Sequence, residues 1–107
     1  MKIAIDFDET VVDRAGNPFK NSIEVLERLG KKHTLILYTS RFKARRKEAL
    51  NFLRKNGVQI QEPDPVLNFG RKILADLYVD DKNLLGLPKD KDGDPDWLKI
   101  ESLINKF

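Results

Sequence analysis

Short apolar runs alternate along this chain with longer stretches in which apolar positions recur every three or four residues. The first run, residues 2–7, is rich in β-formers and predicts a strand that ends in an acidic cluster. Asp13, Gly16, Asn17 and Pro18 predict a turn-rich connection over residues 11–18. Ile23, Leu26 and Leu29 then share one helical face, so a helix is expected over residues 21–29 with Gly30 as its stop. Residues 33–38 form a second strand, and their near-continuous apolar character is that of a parallel sheet covered on both faces.

Ala49, Leu50, Phe52 and Leu53 give residues 43–56 a helical period, closed by Gly57. A short third strand is expected over residues 58–60, and two prolines break the chain within residues 62–65. Residues 66–75 read as a short helix or an irregular connection, and residues 77–79 as a fourth strand running straight into carboxylates. Beyond a polar segment over residues 88–96, Asp94 and Pro95 predict the N-cap and first turn of a last helix over residues 95–105, with Trp97, Ile100 and Ile104 on its buried side. Strand and helix patterns alternate, which predicts an α/β fold: a three-layer sandwich with a mainly parallel, Rossmann-like sheet and right-handed crossovers. The 107 residues suit one domain, residues 1–107, with no repeat or linker.

Composition narrows the setting. There is no cysteine, which excludes a disulfide scaffold or thiolate metal site and fits a reducing compartment, so a cytoplasmic location is expected. A carboxylate at position 6 leaves no room for an apolar leader, and no run approaches the roughly 18 residues of a membrane span, so no membrane partner is expected. Net charge is +3, from 20 basic and 17 acidic residues. The densest basic cluster is Arg41, Lys43, Arg45, Arg46 and Lys47, which reads equally as the solvated face of a helix or as a surface for an anionic substrate or nucleic-acid backbone.

Three of the four expected strands end in reactive side chains: Asp6 and Asp8, Thr39 and Ser40, Asp80 and Asp81. In open parallel sheets ligands bind beyond the carboxyl ends of the strands, so these groups converge at one edge. Carboxylates crowded there need a cation, and oxygen ligands with no histidine or cysteine nearby suit Mg²⁺. The plainer account is a set of independent caps and turn carboxylates, which is less economical for aspartate pairs at two strand ends. Asp90, Asp92, Asp94, Asp96 and Glu101 have the look of a calcium loop, but Pro95 stands where such a loop needs glycine, and a solvated turn is expected.

Asp6-Phe7-Asp8-Glu9-Thr10 resembles the first motif, D-x-D-x-T, of the haloacid dehalogenase superfamily of phosphotransferases. Leu35 to Thr39 resembles its second motif, Lys72 can stand for the lysine of the third, and Asp80-Asp81 resembles the acidic fourth. The resemblance spans almost the whole chain. It implies a Mg²⁺-dependent phosphomonoester hydrolase in which Asp6 attacks phosphorus and forms an aspartyl-phosphate. Asp8 would protonate the leaving oxygen, then deprotonate water, and offer its backbone carbonyl to the metal. Thr39 would bind a phosphoryl oxygen and Lys72 would neutralise charge, with Arg71 and Lys82 as competing cations. Asp80 would ligate the metal, and Asp81 would hold its water shell or Lys72, so the implied metal set is Asp6, Asp8, Asp80 and Asp81. Ser40 and Arg41 are candidates to meet the substrate. Asp76 orients Lys72 or caps the fourth strand, Thr10 fixes its loop or merely fits it, and His33 lies at the wrong end of its strand.

One departure is Glu9, where the resembled family often has glycine; it would narrow the pocket or repel acidic substrates. The spacing between motifs leaves no room for a cap domain, so the resemblance implies a capless core with an open site. Such a site suits a small or macromolecular phosphate ester, nucleic-acid ends included, or gains a lid as a homo-oligomer. Competing readings are a non-catalytic phosphate- or metal-binding module, a phosphotransferase to an acceptor other than water, and, more remotely, a receiver-like signalling domain, whose phosphorylated aspartate ends a middle strand.

Overall fold

Short, near-continuous apolar runs build the strands, and one helical face each builds the helices. The computed structural model describes residues 1–63 and 74–107. The elements run β1 (Lys2–Ile5), α1 (Ser22–Lys32), β2 (Thr34–Leu37), α2 (Lys43–Lys55), β3 (Ile60–Gln61), β4 (Leu77–Val79) and α3 (Trp97–Ile104). The four strands form one sheet in the order β3-β2-β1-β4, and every pairing is parallel. The parallel Rossmann-like α/β architecture expected from the sequence is therefore present.

Ile3, Ile5, Leu35 and Leu37 point to one face of the sheet. There they join Val25, Leu26 and Leu29 of α1, Ala49, Leu50 and Leu53 of α2, and Trp97, Ile100 and Ile104 of α3 in a single buried cluster. Each buried Val, Leu or Ile among them contributes roughly 1.5–3 kcal/mol. Ala4 and Ile36 are also buried but lie outside this cluster, as alternation requires of the opposite face. No described helix belongs to that face. The expectations for a third layer and for residues 66–75 fall, but for residues 74 and 75, outside the described residues. Among the described residues, no helix is long and apolar enough to cross a membrane.

Three expected boundaries are corrected. α1 does not stop at Gly30 but runs through it to Lys32. A Cβ at Gly30 would lie 2.9 Å from the carbonyl oxygen of Gln59, so this glycine lets the helix approach the chain entering β3. Lys31 and Lys32 in the last turn suit the negative end of the helix dipole. At the other end of the chain, α3 begins two residues later than expected: Asp96 is the N-cap, its side chain accepting from the Lys99 N–H at 3.1 Å. Pro95 instead bridges to Lys89 in an antiparallel pair, and Asp94 donates its N–H to Asp90 Oδ1. Asp92 does the same, so the aspartate-rich segment is a turn organised on Asp90. The third strand also sits slightly later than expected, at Ile60–Gln61. Gly57 closes α2 as expected, with φ +87.

Candidate active site at the strand ends

Register decides where the chemistry gathers. Ile5 pairs with Leu37 on one side and Val79 on the other, so β1, β2 and β4 end in one row. The row is carried one step further by the Asp6 N–H bonding Val79 O at 2.9 Å and the Tyr38 N–H bonding Ile5 O at 2.8 Å. The next residues along each strand are the expected ones: Asp6 to Asp8, Thr39 and Ser40, Asp80 and Asp81. They emerge at the carboxyl edge of the sheet, where ligands of parallel sheets bind.

The loop after β1 is wound tightly about one carbonyl. Phe7 O accepts from the N–H groups of Thr10, Val11 and Val12. Closing this turn places Glu9 at φ 61, in the left-handed region that favours glycine. The Glu9 side chain turns outward to pair with Arg14 at 2.8 Å, and both are exposed.

Thr10 is fully buried and is the hub of the site. Its hydroxyl lies 2.9 Å from Asp6 Oδ2 and 3.4 Å from Asp81 Oδ1, while the Asp81 N–H approaches Thr10 Oγ1 at 3.3 Å. A hydroxyl has one proton to give, and the shorter contact assigns it to Asp6. The carbonyl of Thr10 accepts from Trp97 Nε1 at 2.9 Å, a buried bond that ties α3 to the loop. The sequence identified Thr10 as a loop residue and Trp97 as core; their link depends on the tertiary packing of α3.

Asp6, Asp80 and Asp81 each offer a carboxylate oxygen within 4.8 Å of the others. The Asp6 carboxyl is pushed up to about 7, chiefly by burial, with Asp81 and Asp80 adding to the rise and the Thr10 hydroxyl opposing it. Three hard oxygen donors, partly buried and mutually repelling, fit a hard divalent cation such as Mg²⁺. Asp8, the fourth residue of the implied metal set, does not join the cluster with its carboxylate. Arg41 grips it in a two-pronged pair, Nε to Oδ2 at 2.9 Å and Nη2 to Oδ1 at 2.8 Å.

A cleft of about 320 Å³ opens beside these groups, lined by Asp6, Asp8, Glu9, Tyr38, Thr39, Ser40, Asp80 and Lys82. Thr39 and Ser40 both reach it, although strand alternation favours one. Thr39 Oγ1 also accepts from the Arg41 N–H at 3.1 Å. Arg41, expected to meet the substrate, is not among the lining residues. Lys72 lies outside the described residues, whereas Lys82 lines the cleft, its N–H on Asp80 Oδ1 at 2.9 Å. Tyr38 was missed, and its place directly before Thr39 was the available signal. A larger groove of about 670 Å³, lined by Gly30, His33 and Arg54 among others, lies at the opposite edge of the sheet and gathers no carboxylate from the described residues. His33 and Asp76 belong to that edge: His33 Nδ1 is 3.3 Å from the terminal amine, and Asp76 Oδ2 accepts from the Lys2 N–H at 2.7 Å.

A solved structure of a conserved protein coded by a Bacteroides thetaiotaomicron locus is similar to this chain, with a TM-score of 0.81 and 34% sequence identity over 99% of this chain and 90% of that one. No protein-family model matches the chain, and no curated protein matches it at a significant level.

Proposed function

This chain belongs to the same family as that conserved Bacteroides thetaiotaomicron protein, and we propose that it is a divalent-cation-dependent phosphomonoester hydrolase working through an aspartyl-phosphate on Asp6. The observation that carries this reading is the setting of Asp6. One oxygen is fixed by a buried hydroxyl, two further carboxylates lie within 4.8 Å, and an open cleft adjoins them.

Asp6, Asp80 and Asp81 would hold Mg²⁺, which when bound neutralises their repulsion and the charge on the phosphoryl oxygens. Thr10 holds Asp6 so that a carboxylate oxygen faces phosphorus. Attack forms the Asp6 O–P bond as the ester P–O bond breaks, and the leaving oxygen takes the electron pair and a proton from Asp8. In the second half Asp8 takes a proton from water as that water attacks phosphorus, the Asp6 O–P bond breaks, and inorganic phosphate is released. Thr39 and Ser40 on the cleft wall supply hydroxyls to the phosphoryl oxygens, and Lys82 supplies a positive charge, the role that the resemblance implies for Lys72 with Lys82 as a competitor. A cysteine-free composition suits the reducing cytoplasm.

Phosphate release from a panel of sugar phosphates, nucleotides, phosphopeptides and phosphorylated oligonucleotides tests the reading. Release that requires Mg²⁺ and is lost in Asp6→Asn supports it. One observation favours a second reading as a non-catalytic phosphate- or metal-binding module, namely that both oxygens of Asp8 are engaged by Arg41. Magnesium binding by a folded protein that releases phosphate from no ester would establish that alternative.

A further inference from the structure

Two tips at the cleft edge carry large apolar side chains where the local backbone favours polar ones. Leu84 and Leu85 occupy the central positions of a turn closed by the Gly86 N–H on Asn83 O at 3.0 Å, and they are 99% and 93% exposed. Such positions ordinarily take glycine, proline, asparagine, aspartate or serine. The turn is anchored on both sides, because Asn83 Nδ2 donates to Asp80 O at 3.0 Å and Leu87 is buried in the core. The two leucines are thus held outward. Phe42, 75% exposed, is the N-cap of α2, a position where serine, threonine, aspartate or asparagine accepts a bond from the helix and phenylalanine accepts none. Apart from Phe107, these three are the most exposed large apolar side chains among the described residues. Phe42 lies two residues beyond Ser40 and Leu84 two beyond Lys82, and Ser40 and Lys82 both line the cleft.

Cations flank both tips. Lys43, Arg45 and Lys47 are exposed directly after Phe42, with Glu48 the carboxylate among them, and exposed Lys82 stands beside Leu84. Of the carboxylates nearby, Asp8 is paired with Arg41 and Glu9 with Arg14, while Asp6, Asp80 and Asp81 are half-buried. We propose that this edge docks peripherally on an anionic bilayer, with Leu84, Leu85 and Phe42 entering the headgroup layer and Lys43, Arg45, Lys47 and Lys82 meeting the lipid phosphates. Separate apolar tips, each beside its own cations, fit a surface that is negative on top and apolar beneath. A second copy related by a two-fold axis would set this basic edge against itself. A nucleic-acid strand would satisfy the cations but gains nothing from two leucines on a turn. Lacking an apolar run long enough to span, the sequence predicts no membrane partner, but a peripheral contact needs no span. The docking is independent of the hydrolase reading above, and it opens the cleft toward the headgroups.

Sedimentation with sucrose-loaded phosphatidylcholine vesicles, with or without about one-quarter phosphatidylglycerol, tests the docking. Wild type is compared with Leu84→Ser/Leu85→Ser and Lys43→Ala/Arg45→Ala. Circular dichroism melts verify folding, and Phe42→Ser probes the apolar contact separately should the leucine pair fail to fold. Wild type is expected to pellet with the anionic vesicles, to bind the neutral ones at least about tenfold less, and to be released by about 1 M NaCl. Each double variant should lose at least about tenfold in partition coefficient. Wild type left in the supernatant, equal binding to both vesicles, or apolar-tip variants that pellet like wild type overturns the docking. A wild-type dimer in sedimentation velocity that Leu84→Ser/Leu85→Ser dissolves also overturns it, and assigns the tips to a second copy. So does binding of a single-stranded oligonucleotide by a protein that ignores the vesicles. None of these outcomes decides the hydrolase reading, which phosphate release from soluble esters reads separately.

Discussion

Trp97 Nε1 donates to the carbonyl oxygen of Thr10 at 2.9 Å, joining the last helix to the loop of Asp6 across 87 positions of sequence. The same threonine gives its hydroxyl to Asp6. A helix with no residue on the cleft wall thus fixes the loop of the proposed nucleophile through one buried bond.

Breaking this relay at either end is expected to cost stability and activity together. Thr10→Val keeps the volume but removes the partner of Asp6 and of the Asp81 N–H, a loss of about 1–3 kcal/mol. Trp97→Phe leaves the Thr10 carbonyl without its indole donor, at a similar cost. Urea midpoints read the stability. Displacing Asp6 is expected to lower kcat/KM by up to about 10²-fold, and Thr10→Ser, which keeps the hydroxyl, should retain most of it.

The raised Asp6 carboxyl makes a pH prediction with a definite sign. It titrates at about 7 in the folded protein against 3.8 ordinarily, so between these values the native state holds a proton that the unfolded chain has lost. Without divalent cation, stability therefore falls as pH rises from about 4 to about 7, and the penalty is complete above that. Discounted for partial exposure, it is about 1–2 kcal/mol. Asp6→Asn should lack this slope in urea unfolding, and Mg²⁺ should restore wild-type stability above pH 7.

At Glu9 two backbone effects compete. Glycine relieves a left-handed residue, worth roughly 1–2 kcal/mol, but loses about 0.5–1 kcal/mol through unfolded-state freedom. The exposed pair with Arg14 adds little. Glu9→Gly is therefore expected to be neutral or stabilising by about 1 kcal/mol, while Glu9→Val, β-branched at φ 61, destabilises. Denaturant midpoints of the two variants check the order.

Gly30→Ala sets propensity against packing. Alanine gains about 1 kcal/mol within a helix, yet its methyl would meet Gln59 O at 2.9 Å. Backbone oxygen cannot step aside cheaply, so a net destabilisation of about 1–3 kcal/mol is expected from thermal or urea unfolding.

Apolar runs made the strands legible, because residues 2–7 and 33–38 are short, apolar and bounded by polar segments. Carboxylates directly after such runs pointed to a shared edge, and register brings Asp6, Asp80 and Asp81 together there. What stayed hidden depends on contacts between distant segments. Gly30 looked like a stop signal because the approach of Gln59 cannot be seen along the chain. Asp94 looked like a cap because Asp90 was not known to claim its N–H. Arg41 reads as exposed and available until Asp8 is seen to hold it.

The central claim is most directly tested by trapping the intermediate. Asp8→Asn, incubated with Mg²⁺ and p-nitrophenyl phosphate, acid-quenched and digested, should carry one phosphoryl group on the peptide containing Asp6, labile to mild base and absent when Asp6 is also changed to Asn. A phosphoryl group on another residue, or phosphate release with no covalent enzyme species under any quench, would contradict the account.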